Sequence, residues 1–77
     1  MRMNRKEQAQ DLLRKCRAAQ ESGNDFPTIW QEIIKSHPVT AVGAPVSVMI
    51  GNDAALEVSL MSGQKLIFER SAFSLRP

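Results

Sequence analysis

The stretch PVSVMIGNDAALEVSLMSGQKLIFE, residues 45–69, decides the fold of this 77-residue chain. Apolar residues alternate with other residues in three short runs, which are separated by a Gly-Asn-Asp signal and a Ser-Gly signal. Alternation with a period of two residues, interrupted by turn residues, is typical of β-hairpins. The stretch therefore predicts an antiparallel meander with strands at about residues 45–50, 55–60 and 64–70.

The length of the second loop sets which side chains face each other. A three-residue loop pairs Val58 with Leu66 and Leu56 with Phe68, and it puts Gly63 where a positive φ is needed. A two-residue loop would instead set apolar residues against polar ones, since a slip of one residue exchanges the two faces of a strand. The sequence favours the three-residue loop.

Two helices are predicted before the strands. Asn4 and Glu7 have the spacing of a capping box, and apolar residues then recur at helical spacing until a Gly-Asn stop signal. This pattern predicts a helix at about residues 4–22. A second helix, at about residues 26–36, ends before Pro38, which disfavours helical geometry in its predecessor.

The predicted fold class is α+β, as one small domain over residues 1–77. Two N-terminal helices pack on one face of a three-stranded antiparallel meander, in the order α-α-β-β-β, and residues 71–77 form a tail. The expected core consists of apolar residues from both helices and from alternate strand positions: Leu12, Leu13, Cys16, Ile29, Trp30, Ile33, Val46, Val48, Ile50, Leu56, Val58, Leu60, Leu66 and Phe68.

Composition limits the class of protein. Cys16 is the only cysteine, which fits a reducing compartment and leaves no disulfide to stabilise the domain. The charged first 22 residues do not resemble a signal peptide, and no apolar run approaches the ~20 residues of a membrane span. We therefore expect a cytoplasmic protein of a bacterium or phage, with no membrane partner.

Catalytic and metal chemistry find little support in the sequence. His37 lies at a helix end before a proline, where histidine commonly caps carbonyls, and Cys16 lies on an apolar helix face. A zinc site needs about four ligands, whereas the chain has one cysteine and one histidine. The glycines are scattered and do not form a phosphate-binding loop. We expect no enzyme, no cofactor and no metal.

A basic flank on the first helix is the candidate contact for nucleic acid or another acidic partner. Lys6, Gln10, Arg14 and Arg17 project to one side, outside the apolar stripe. Such a row can follow a phosphate backbone and release its counterions. The same residues could equally be the solvated face of an amphipathic helix. A small nucleic-acid-associated protein is therefore the alternative hypothesis.

Self-association is the first hypothesis. In the predicted sheet Met49 and Ile67 point away from the helices. Either the tail residues Phe73 and Leu75 or a second copy of the chain could cover them, or they could be two tolerated apolar residues on the surface. A domain this small gains from association, and a three-stranded sheet has two open edges. We expect a non-catalytic protein-interaction module, a homodimeric accessory or regulatory protein whose surface includes Met49 and Ile67.

Overall fold

The computed structural model describes residues 3–37 and 40–77. It contains two helices followed by an antiparallel sheet, so the α+β class is confirmed. The elements are α1 (Arg5–Glu21), α2 (Phe26–Ile29), a π-helical segment (Trp30–Ile34), β1 (Ala41–Ile50), β2 (Asp53–Leu60), β3 (Lys65–Glu69) and β4 (Ala72–Arg76). Within the described ranges, no helix is both long and apolar enough to cross a membrane.

Helix α1 begins with the predicted capping box. The Asn4 side chain accepts a hydrogen bond from the Glu7 amide at 2.8 Å, and the Glu7 carboxylate accepts one from the Asn4 amide at 3.3 Å. Each side chain thus satisfies an amide that the first helical turn leaves without a partner. The predicted helix boundaries agree with the observed ones to within one residue at each end.

The second helix starts as predicted but does not remain an α-helix. Asp25 caps it by accepting from the Thr28 amide at 3.1 Å. Hydrogen bonding from the Thr28 side chain, and then from this amide, holds the pKa of Asp25 below its ordinary value. The helix then widens, because the Lys35 amide donates to the carbonyl of Trp30, five residues back, at 2.9 Å. Such π-helical turns are rare and are not visible in residue spacing alone.

The sheet has four strands in the order β1-β2-β3-β4, so the prediction of three strands is corrected. The fourth strand is the predicted tail. Phe73 and Leu75 pair with Phe68 and Leu66 of β3, and they pack in the core beneath the helices. The tail therefore does not cover the outer face of the sheet.

The turn between β3 and β4 explains why the fourth strand was missed. Arg70 and Ser71 both have positive φ, 49° and 59°, as the central residues of a tight hairpin turn require. Glycine, asparagine and aspartate usually occupy these positions, because other side chains adopt this conformation at some cost in energy. Without such a residue, the sequence carries no turn signal there.

The hairpin of β2 and β3 has the predicted register. Leu56 pairs with Phe68 and Val58 with Leu66, and the Leu60 amide donates to the carbonyl of Gln64 at 3.0 Å. Gly63 has a φ of 86°, as expected for the last residue of a three-residue loop.

Strand β1, by contrast, presents the face opposite to the predicted one. Ile50 pairs with Asp53 across a two-residue loop in which Gly51 has a φ of 61°. Val48 consequently pairs with Ala55 and Val46 with Glu57. All three β1 residues therefore lie on the outer face of the sheet and not in the core.

The core lies between the helices and the inner face of β2, β3 and β4. An aromatic cluster joins the helices to the sheet: the Phe68 and Phe73 rings are 4.8 Å apart, and Phe26 lies 5.3 Å from Phe68, which is partly buried. Trp30 packs against this core and is only partly buried. Seven of the predicted core residues are buried: Leu12, Leu13, Cys16, Ile29, Val58, Leu60 and Leu66.

Candidate interaction surface

The two edges of the sheet differ in how they are covered. At the β4 edge, the Arg17 guanidinium donates to the carbonyl of Phe73 from Nη2 at 3.0 Å and from Nε at 3.3 Å. The Gln20 side chain donates to the carbonyl of Ser71, which precedes β4. Helix α1 therefore supplies side-chain donors to this edge, which is one of the ways in which proteins prevent edge pairing.

The opposite edge is strand β1, and we call its residues 46–50 the β1 edge. Within the part of the chain that the structure describes, no strand pairs with its outer side. Strand β1 reads AVGAPVSVMI and carries no charged residue, although charges are the commonest protection of an exposed edge. Pro45 and the register shift between Val42 and Val46 both oppose pairing at the start of the strand, so residues 46–50 are its regularly paired part.

Backbone groups on the β1 edge point outward at alternate residues. The loop-closing pair Ile50 and Asp53 is hydrogen-bonded in a tight turn, and bonded and non-bonded pairs then alternate along the hairpin. The N–H and C=O groups of Met49 and Ser47 consequently point away from β2. Pro45 has no N–H and lies where the register shifts between Val42 and Val46, so the regular alternation of backbone groups covers residues 46–50.

The side chains of the β1 edge are apolar except for Ser47, and they differ in exposure. Val46 is 57% exposed and Met49 is 67% exposed, while Val48 and Ile50 are partly buried. Val46, Val48 and Ile50 share the outer face with Ala55 of the neighbouring strand. The β1 residues on this part of the outer face are uncharged, while Asp53 and Glu57 of β2 lie opposite Ile50 and Val46.

The other half of the outer face is charged. Lys65 pairs with Glu57 at 3.0 Å, as the predicted register allows, and Arg76 pairs with Glu69 at 2.9 Å. Ile67 lies between these two ion pairs and is only 2% exposed. We attribute its burial to the methylene stems of these long side chains, which lie along apolar surface while their charged ends reach water.

The structure does not bring Met49 and Ile67 together. Met49 pairs with Ala54, which lies on the helix-facing side of the sheet, whereas Ile67 pairs with Glu57 on the outer side. The predicted outward position of Met49 is therefore wrong, because the two-residue loop shifts β1 by one position. Ile67 is on the predicted face, but neighbouring side chains already bury it.

The basic flank of α1 is only partly assembled as a surface. Lys6, Gln10 and Arg14 line one shallow depression at the start of the helix. Arg14, however, pairs with Asp11 at 2.8 Å, and Arg17 is directed to the β4 edge. Hydrogen bonds from Arg14 and Lys15 keep the pKa of Asp11 below its usual value, so this carboxylate stays negative beside the flank.

Both residues considered for catalysis have structural roles. His37 Nδ1 lies 2.6 Å from the carbonyl of Ile33, so the ring donates there and caps the helix end. Cys16 is fully buried, and desolvation raises the pKa of its thiol from 9.0 to about 12. Among the described residues, no three His, Cys, Asp or Glu side chains lie close enough to hold a metal ion.

A second apolar feature adjoins strand β1. Trp30, Val42 and Met61 line a groove between the π-helical segment and the start of the strand, and Val42 and Met61 are each more than a third exposed. Lys35 also lines this groove, so a charged side chain borders its apolar residues.

The sequence pattern marked Val46, Val48 and Ile50 as core, so it missed the β1 edge as a candidate surface. The available signal was Gly51 followed by Asn52, because glycine at the first central position is typical of a two-residue hairpin loop. Comparison of the chain with protein-family models, with curated proteins and with solved structures found no match to any of them.

Proposed function

We propose that this chain is a non-catalytic protein-interaction module, a small homodimeric accessory or regulatory protein that associates through the β1 edge. The observation that carries the proposal is the difference between the two sheet edges. Arg17 and Gln20 cover the β4 edge, whereas the β1 edge combines outward backbone groups with an uncharged strand. An edge of this kind is a template for pairing with another strand.

The exposed surface of the chain supports association. The accessible area is 5075 Å², and the dimensions are 41 by 26 by 17 Å. A compact monomer of 8.6 kDa exposes about 4,700 Å². The two areas are similar, and the support lies in the large apolar side chains that β1 exposes, Val42, Val46 and Met49.

The alternative, binding of nucleic acid by the α1 flank, has weaker support. The best phosphate contacts come from basic side chains that face solvent as a group. Of the three basic residues on the flank, Arg17 donates to the Phe73 carbonyl and Arg14 pairs with Asp11. Lys6 then remains as the main candidate contact.

Ser47→Pro tests the proposal, with Ser47→Ala as the matched control. Because the Ser47 N–H points away from β2, proline removes a donor from the free edge and no hydrogen bond from the hairpin. We expect wild-type protein and Ser47→Ala to show a dimer mass by analytical ultracentrifugation at high concentration. Ser47→Pro should stay monomeric, with unchanged circular dichroism.

Two results would contradict the proposal. A wild-type chain that remains monomeric at about 1 mM, a concentration at which even weak contacts are populated, would refute self-association. Equal dimerisation of Ser47→Pro and Ser47→Ala would move the contact to another surface. Binding to a polyphosphate that collapses as salt rises would support the nucleic-acid alternative instead.

A further inference from the structure

We infer that the β1 edge pairs antiparallel with the same edge of a second copy, with Val48 of each chain on the two-fold axis. This inference rests on the proposed function and adds the partner and the register. Residues 46–50 of both chains would join two four-stranded sheets into one continuous sheet.

This register follows from which β1 residues direct their backbone N–H and C=O groups away from β2. Only Ser47 and Met49 direct both an N–H and a C=O outward from the β1 edge. With Val48 on the axis, Ser47 of one chain lies opposite Met49 of the other, and each such pair exchanges two hydrogen bonds. Every outward donor then meets an acceptor, and Pro45 lies beyond the ladder.

In the neighbouring registers, fewer of the outward backbone groups of the β1 edge find hydrogen-bond partners. A two-fold axis at Ser47 would set Met49 opposite Pro45, which has no N–H to donate, so the carbonyl of Met49 would lose its partner. An axis at Met49 would set Ser47 opposite Gly51, which belongs to the hairpin loop. Val48 is therefore the only axis position that keeps the ladder within residues 46–50.

Side-chain chemistry favours a second copy over a different partner. In this register Val46 faces Ile50 of the partner chain and Val48 faces its own counterpart, and such β-branched pairs stabilise neighbouring strands. A charged residue near a two-fold axis meets a like charge, so a self-pairing strand benefits from having none. Strand β1 has no charged residue at all.

Contacts from helix α1 disfavour growth of the assembly at the β4 edge, because the carbonyls of Phe73 and Ser71 are already bonded. After β1 pairs with its copy, the outer strands of the joined sheet are the two β4 strands. Arg17 and Gln20 already donate to backbone carbonyls there. The contact is therefore isologous and closed, since the same patch serves both subunits.

The contact is small, which sets the expected affinity. Five paired residues span about 17 Å of strand and fall short of the ~800 Å² per partner of a standard interface. We therefore expect a dimer that forms at tens to hundreds of micromolar and dissociates on dilution.

Cysteine cross-linking tests the register. Val48→Cys would place two thiols directly opposite each other in a non-hydrogen-bonded pair, where Cβ atoms are close enough for a disulfide. Ser47→Cys, Met49→Cys and Ala54→Cys are the controls, since all three wild-type residues are exposed. Cys16 is buried and can remain in every variant.

We expect Val48→Cys to form a covalent dimer under mild oxidation at least about tenfold faster than any control. Faster cross-linking of Ser47→Cys or Met49→Cys would overturn the register. A wild-type dimer in which none of these variants cross-links would refute the contact through the β1 edge, and the homodimeric interaction module would then associate through another surface. A wild-type monomer would refute both proposals.

A measurement on the wild-type protein tests the same register without depending on the folding of Val48→Cys. In a mixture of isotope-labelled and unlabelled chains, intermolecular nuclear Overhauser effects should join the methyl groups of Val46 and Ile50 of different subunits. Such contacts are specific to the proposed register. Their absence in a sample that is dimeric by mass would overturn the inference even if Val48→Cys failed to fold.

Discussion

Removal of the Arg17 side chain should destabilise the domain by opening the β4 edge. Arg17 donates two hydrogen bonds, at 3.0 and 3.3 Å, to one carbonyl in a partly buried setting. Hydrogen bonds that involve a charged group contribute about 1.5–3 kcal/mol. Because much of the Arg17 side chain is exposed, we expect Arg17→Ala to lower the free energy of unfolding by about 1–2 kcal/mol.

The expected change is large for a chain of this length. One kcal/mol shifts the Tm of a 60–100-residue domain by roughly 4–8 °C, so the expected shift is about 4–16 °C. Thermal unfolding can be followed by circular dichroism and by the fluorescence of Trp30, the only tryptophan. All samples need the same protein concentration, because dimer formation itself raises the Tm.

Arg14→Ala is the matched control for this experiment. It removes the same side chain from the same helix, but its ion pair with Asp11 is exposed to solvent and contributes little. The Tm of this control should fall less than half as much. If both variants melt at the same temperature, Arg17 does not close the edge, and the reasoning about the two edges fails.

The remaining predictions concern single sites. Cys16 should resist alkylation at pH 8 in the folded protein and react after unfolding, and mass spectrometry can measure both reactions. Reaction of the native chain at the rate of a free thiol would contradict the burial of Cys16. Burial raises the pKa of the Cys16 thiol in the folded protein to about 12. The stability that the neutral, buried thiol contributes is therefore complete below about pH 9 and is lost as the pH rises toward about 12. Gly51→Ala should lower the free energy of unfolding, measured with urea, by about 1–2 kcal/mol, because Gly51 has a positive φ. Gly51→Asn should lower it less, since asparagine tolerates a positive φ better than alanine. Equal losses for the two variants would contradict the positive φ.

Local rules predicted most of the fold. The capping box at Asn4, the stop after α1 and the register of β2 against β3 all follow from contacts between residues close in sequence. Each involves one side chain and one nearby backbone group, or one loop of fixed length. Such features are encoded within a few residues and are therefore visible without the structure.

The wrong predictions, for the face of β1 and for the number of strands, concern stretches whose sequence pattern fits more than one conformation. An alternating strand fits either face of a sheet, and the choice for β1 depended on whether the Gly51 loop has two or three residues. The turn at Arg70 and Ser71 uses residues that seldom adopt positive φ, so the fourth strand carried no signal. The candidate surface depended on both errors, which is why Met49 and Ile67 were grouped and the β1 edge was missed.

The unequal edges have a consequence that polymer chemistry describes well. A molecule with two reactive ends is a bifunctional monomer and grows into chains, whereas one with a single reactive end is monofunctional and stops at the dimer. On the proposed pairing, the contacts from Arg17 and Gln20 make this chain monofunctional. We expect a variant without both side chains to offer a second edge for pairing, and to form assemblies larger than a dimer as its concentration rises.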